Sequence, residues 1–132
     1  MTSPSPREAF APGAHIIEAY GAGAFRFAGM SHVGSILATP KGIGAVAAGA
    51  LADVGDEDLA RLFAELDAAP GSVEFLVIGA GAKMAPPSAA LAGLLRARSL
   101  RFEAMATGAA IRMYNVMFGE GRRVAALLIA AP

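Results

Sequence analysis

"DEDLARLFAELDAAPGSVEFLVI", residues Asp56–Ile78, decides the class of fold. Its first half carries Leu59, Leu62, Phe63 and Leu66 at i, i+3, i+4 and i+7, which is one apolar face of a helix. Asp56 can cap the free N–H groups at the start, and Glu57 and Asp58 suit the positive end of the helix dipole. Ala69-Pro70-Gly71 ends the helix. Val73–Ile78 then runs almost continuously apolar, as expected of a strand covered on both faces.

The same alternation continues to the C-terminal end. "GAGAKMAPP" breaks the strand, and Ser88 caps a second helix carrying Leu91, Leu94 and Leu95, with Arg96 and Arg98 near its negative end. Arg101–Ala106 reads as a strand, Thr107–Phe118 as a third helix closed by Gly119, and Val124–Ala130 as a final strand. Helix and strand in strict turn imply βαβ crossovers and an open sheet with helices on its faces.

The chain before Asp56 is punctuated by glycine. His15–Tyr20, Ala24–Ala28 and Val33–Thr39 read as short strands, with Phe25 and Phe27 alternating around Arg26. Pro40 closes the third, "PKGIG" reads as a turn, and Ala45–Ala52 is ambiguous. These pieces suggest an added β layer or hairpin. Residues 1–13 read as a disordered lead-in, leaving 14–132 as a single α/β domain.

Composition narrows the function. Eleven Lys+Arg balance eleven Asp+Glu, which argues against a nucleic-acid partner and leaves little repulsion between copies. A homo-oligomer is therefore one of the readings to weigh. The chain has no cysteine, which excludes disulfides, thiolate metal sites and cysteine nucleophiles. No apolar run approaches the roughly 20 residues a membrane-crossing helix needs. No membrane insertion and a cytoplasmic location are expected.

Few residues suggest chemistry. Gly79-Ala80-Gly81 follows a buried strand, where a dinucleotide fold places its phosphate turn, but Met84 stands at the third glycine position and Pro86-Pro87 delay the next helix. Lys83 adds a cation nearby. His15 and His32 have no metal-like spacing, and no G-x-S-x-G elbow is present. The acidic residues Asp53, Asp56, Glu57, Asp58, Glu65 and Asp67 read as a solvated helix face. No catalytic constellation emerges, so a non-enzymatic protein without cofactor or metal is expected.

The polar cluster "TGAAIRMYN", Thr107–Asn115, stands out. Thr107 can cap its helix, Ile111, Tyr114 and Phe118 fall on a core-facing stripe, and Arg112 and Asn115 share another face. Gly108, Ala109 and Ala110 let another group approach the first turn closely. One reading is a small-ligand or anion pocket formed by Gly79, Gly81, Lys83, Thr107, Arg112 and Asn115. The other, which we adopt, is structural: Arg112 pairs with Glu103 or Glu18 and the segment braces the fold.

Several motifs together resemble a small family of single-domain proteins of unknown function. They are Tyr20-Gly21, the Pro40/Gly42 turn, "LVIGAG" at Leu76–Gly81, Pro87, and above all "EAMATGAAIRMYNVMFGEGRRVAALLI" at Glu103–Ile129. The family includes bacterial and archaeal hypothetical proteins, the adipogenesis-associated domain-containing protein and a mitochondrial complex I assembly factor. The resemblance implies a three-layer α/β fold: a central mixed β-sheet of about five strands, helices packed on it, and an additional small β element from the N-terminal part. It implies no established activity or cofactor. It points to an accessory protein with a protein partner, assisting assembly of a respiratory or other membrane complex. The chain departs from the family pattern in lacking a tryptophan after Pro40, in having Ala80 between the two glycines, and in having Ser99 where the second helix often ends in glycine.

Overall fold

The computed structural model describes residues 10–132. Strands β1 (Phe10–Pro12), β5 (Ile36–Thr39), β6 (Gly42–Ala45), β7 (Phe75–Gly79), β8 (Arg101–Met105) and β9 (Val124–Leu128) form a mixed sheet in the order β1-β6-β5-β9-β7-β8. Strands β2 (Ala19–Gly21), β3 (Ala24–Phe27) and β4 (Met30–Val33) form a separate antiparallel sheet. The helices are α1 (Asp56–Ala68), α2 (Ala89–Ala97) and α3 (Thr107–Gly119). β7 pairs in parallel with both β8 and β9, so the crossovers through α2 and α3 lead to opposite sides of β7. With right-handed connections they must also pass over opposite faces of the sheet.

Three layers result. On one face α1 and α2 bury Leu59, Leu62, Leu91 and Leu95 against Leu76, Ile78, Ala125 and Leu127. On the other, α3 and the small sheet bury Ile111, Tyr114, Phe25 and Phe27 against Val77, Ala126 and Leu128. Successive residues of β9 thus enter opposite cores, which explains its unbroken apolar run. Each fully buried large apolar side chain contributes roughly 1.5–3 kcal/mol.

The alternation from Asp56 onward is found as expected, with the main sheet holding six strands rather than about five. The N-terminal part differs more. Residues 1–9 of the expected lead-in lie outside the described residues, but Phe10–Pro12 is an edge strand paired with β6. Pro12, which has no N–H, is tolerated there because one side of an edge strand needs no sheet partner. "PKGIG" holds the first three residues of β6 rather than only a turn. A Cβ on Gly42 would stand 2.2 Å from Phe10 Cζ and 2.9 Å from the Ala11 backbone oxygen, so the close approach of β1 favours glycine here. Val33–Thr39 is split at Gly34, whose φ is +106°, and its two halves join different sheets.

Helix ends also differ in detail. Gly55, not Asp56, caps α1, and the Asp58 carboxylate accepts the Gly55 N–H at 2.9 Å. Ser88 does cap α2, its Oγ accepting the Leu91 N–H at 3.0 Å. At the other end of α2, Ser99 has a φ of +56°. Leu100 N–H reaches Leu95 O and Ser99 N–H reaches Arg96 O, the paired bonds of a Schellman end. Ser99 therefore stands where the backbone asks for glycine.

Candidate functional site

Thr107 does not cap α3. It is fully buried, and Ala106 precedes the helix at the cap position. Its hydroxyl donates to Ile129 O at 2.7 Å and accepts the Gly81 N–H at 2.9 Å, while its own N–H donates to Gly81 O at 2.8 Å. A Cβ on Gly79 would stand 2.9 Å from the same Oγ1. One side chain thus ties together the ends of β7 and β9 and the start of α3. This is where an open α/β sheet usually holds a ligand. Here the turn and the helix start bond directly to each other, leaving no gap between Gly79–Gly81 and Thr107.

Asn115 is also a brace. Its Oδ1 accepts the Ile17 N–H at 2.9 Å, and its Nδ2 donates to Ile17 O at 2.9 Å. The Tyr114 hydroxyl donates to His15 O at 2.8 Å. Burial pushes the Tyr114 phenol up to about 12, which keeps it a neutral donor. What approaches the small first turn of α3 is the chain's own Tyr20: a Cβ on Gly108 would stand 2.2 Å from its hydroxyl oxygen. These contacts hold the segment 15–20 against α3 and seat the small sheet on it.

Arg112 does not brace the fold. It and Glu103 are both exposed, and among the described residues Arg112 makes no ion pair with Glu103, Glu18 or any other acid. Lys83 is exposed on the loop after Gly81. The six expected residues therefore divide: Gly79, Gly81 and Thr107 meet in one knot, Asn115 acts on the N-terminal element, and Lys83 and Arg112 face solvent.

A polar cluster unanticipated in the sequence lies on the opposite face of the sheet. Glu65, expected on the solvated side of α1, is buried. Its Oε2 accepts from Thr39 Oγ1 at 2.7 Å and from Arg61 Nη1 at 3.0 Å. Arg61 also donates to Leu37 O at 2.6 Å and Gly42 O at 3.2 Å, and its guanidinium stacks 5.2 Å from the centre of the Phe10 ring. Burial pulls the Arg61 guanidinium below its ordinary range, against the opposing pull of Glu65. A buried acid is tolerable when its oxygens are met in this way. The i, i+4 spacing of Arg61 and Glu65 was the available signal, but nothing local shows that Thr39 completes the pair. Beside it lies a cleft of about 340 Å³ lined by Phe10, Leu37, Gly44, Glu57, Asp58 and Arg61. The hydrogen bonds fix Arg61 to the sheet, so the cluster locks α1 onto β5 and β6.

His15 Nε2 lies 2.8 Å from Pro12 O, and His32 sits on β4. Among the described residues no group of three or more His, Cys, Asp or Glu could hold a metal ion, and no helix is long and apolar enough to cross a membrane.

Residues 17–129 match the family described as "Protein of unknown function (DUF498/DUF598)". The chain belongs to the DUF498/DUF598 family. An uncharacterized protein of Rhodobacter capsulatus is 39% identical over 128 residues, covering 97% of this chain and 94% of that protein. A crystal structure described as an outer membrane protein from Bartonella henselae is 40% identical with a TM-score of 0.84, covering 92% of this chain and 98% of that one. A solution structure from Bordetella pertussis, described as an Mth938-like domain, shares the fold at 24% identity with a TM-score of 0.73, covering 98% and 90% of the two chains. The DUF498/DUF598 match spans both the knot at Thr107 and the Asn115 clamp on Ile17.

Proposed function

We propose that this protein is a non-enzymatic accessory protein that docks an apolar surface of a partner protein on the layer formed by its small sheet and α3. The observation that supports this is where the large apolar side chains lie exposed. Among the described residues these are seven; four of them, Tyr20, Met30, Val33 and Val116, belong to that layer, and Ile16 lies in the segment that leads into it. Val33 is 79% exposed and Val116 61% exposed. Polar side chains on α3 hold this layer in place, so the apolar groups are presented on a fixed support. Scattered exposed apolar residues need no explanation, whereas several at the border of one layer suit contact with a partner. By register Val33 lies on the outer face of the small sheet, and Tyr20 and Met30 lie at the rim of the face that carries Phe25 and Phe27.

Assistance in assembling a respiratory or other membrane complex, which the sequence resemblance implies, is the finer form of this reading. A cytoplasmic location goes with it. Crosslinking in the native cell, comparing the wild-type chain with Val33→Glu and Val116→Glu, tests the proposal. Both positions are at the surface, where substitution costs little stability. A defined partner retained by wild type and lost by the variants is expected, and a subunit of a membrane complex would carry the assembly role. Capture of no protein, or capture unchanged by either substitution, would overturn the reading. Recovery of the protein in an envelope fraction, in keeping with the description of the Bartonella relative, would overturn the location.

A further inference from the structure

We propose that two copies of this chain join through β8, edge to edge and antiparallel, into a two-fold dimer with one continuous sheet. The main sheet has two ends, β1 and β8. β1 is three residues long and includes Pro12, which has no N–H to offer. β8 has five residues without proline and pairs only with β7 among the described strands, so its outer row of N–H and C=O groups is free to pair.

The side chains of β8 select one register. Arg101 and Glu103 lie two apart, so they share the face of β8 that looks toward α3, and both are exposed. Parallel pairing in register would set arginine against arginine and glutamate against glutamate. Antiparallel pairing centred on Glu103 would set the two glutamates against each other. Centred on Phe102, it places Arg101 opposite Glu103 of the partner subunit and Glu103 opposite Arg101 of the partner subunit. Directly opposed residues of opposite charge favour a register and like charges oppose it. The same register brings the two half-buried Phe102 rings together on the α2 face, beside Arg96, whose guanidinium lies 5.6 Å from the ring centre. The arrangement is self-complementary, as a two-fold interface must be. A formal net charge of zero leaves little overall repulsion between copies.

Sedimentation equilibrium over a range of concentrations tests this, with circular dichroism to verify folding. Wild type is expected to dimerise reversibly. Arg101→Glu gives acid opposite acid and Glu103→Arg gives base opposite base, so each variant alone is expected to sediment as monomer. Mixed together, the two are mutually complementary and are expected to recover a dimer. A wild-type chain that stays monomeric at the highest concentration would overturn the proposal. So would a dimer that survives either substitution, or a mixture that fails to associate.

Discussion

Thr107 carries more of the fold than its position at a helix start suggests. Its hydroxyl accepts the Gly81 N–H and donates to Ile129 O, and the threonine itself has no solvent access. Replacing it with valine keeps the shape and orphans buried polar groups, at a cost of about 1–3 kcal/mol. Urea denaturation of Thr107→Val reads this directly, and an unchanged midpoint would show that the knot contributes little. Ser99 offers the opposite sign. A non-glycine residue with φ of +56° is strained, and glycine would relieve that strain at the expense of extra freedom in the unfolded chain. Ser99→Gly is expected to stabilise the protein by about 0.5–1 kcal/mol, the net of those two effects. A lower thermal midpoint would contradict it.

At the scale of elements, the C-terminal half was legible because its information is local. The spacing of Leu59, Leu62, Phe63 and Leu66, and the unbroken run at Leu76–Ile78, each specify an element without reference to the rest of the chain. The N-terminal half was less legible because its structure is held from a distance. Ile17 is bound by Asn115, 98 residues away in sequence, and β6 pairs with β1, some thirty residues earlier in the chain, with the Phe10 ring lying against Gly42. The burial of Glu65 escapes a local reading for the same reason: the second partner of its carboxylate, Thr39, comes from another element. The site was half legible. Bracing by "TGAAIRMYN" is present, but through Thr107, Tyr114 and Asn115 and not through Arg112. Asn115→Ala is expected to loosen the N-terminal element while leaving α1, α2 and the main sheet intact. Removing two partly buried hydrogen bonds should cost about 1–2 kcal/mol. Amide exchange would show it as lost protection at Ile17 and through β2–β4, whereas uniform loss across the chain would mean that the clamp supports the whole fold.

At the scale of the molecule, the two faces of the main sheet are covered differently. One is sealed by α1 and α2, with Arg61, Thr39 and Glu65 locking α1 in place. The other carries the small sheet on α3, and there the exposed apolar side chains gather. The ligand position at the strand ends is taken up by the chain's own threonine. The central claim is that this layer is where a partner binds. Amide exchange of the protein alone and with its crosslinked partner tests it most directly. The account predicts new protection in β2–β4 and the exposed turns of α3 around Val116, with the Gly79–Gly81 turn unchanged. Protection centred on the cleft beside Arg61, or on no part of the small-sheet layer, would contradict it.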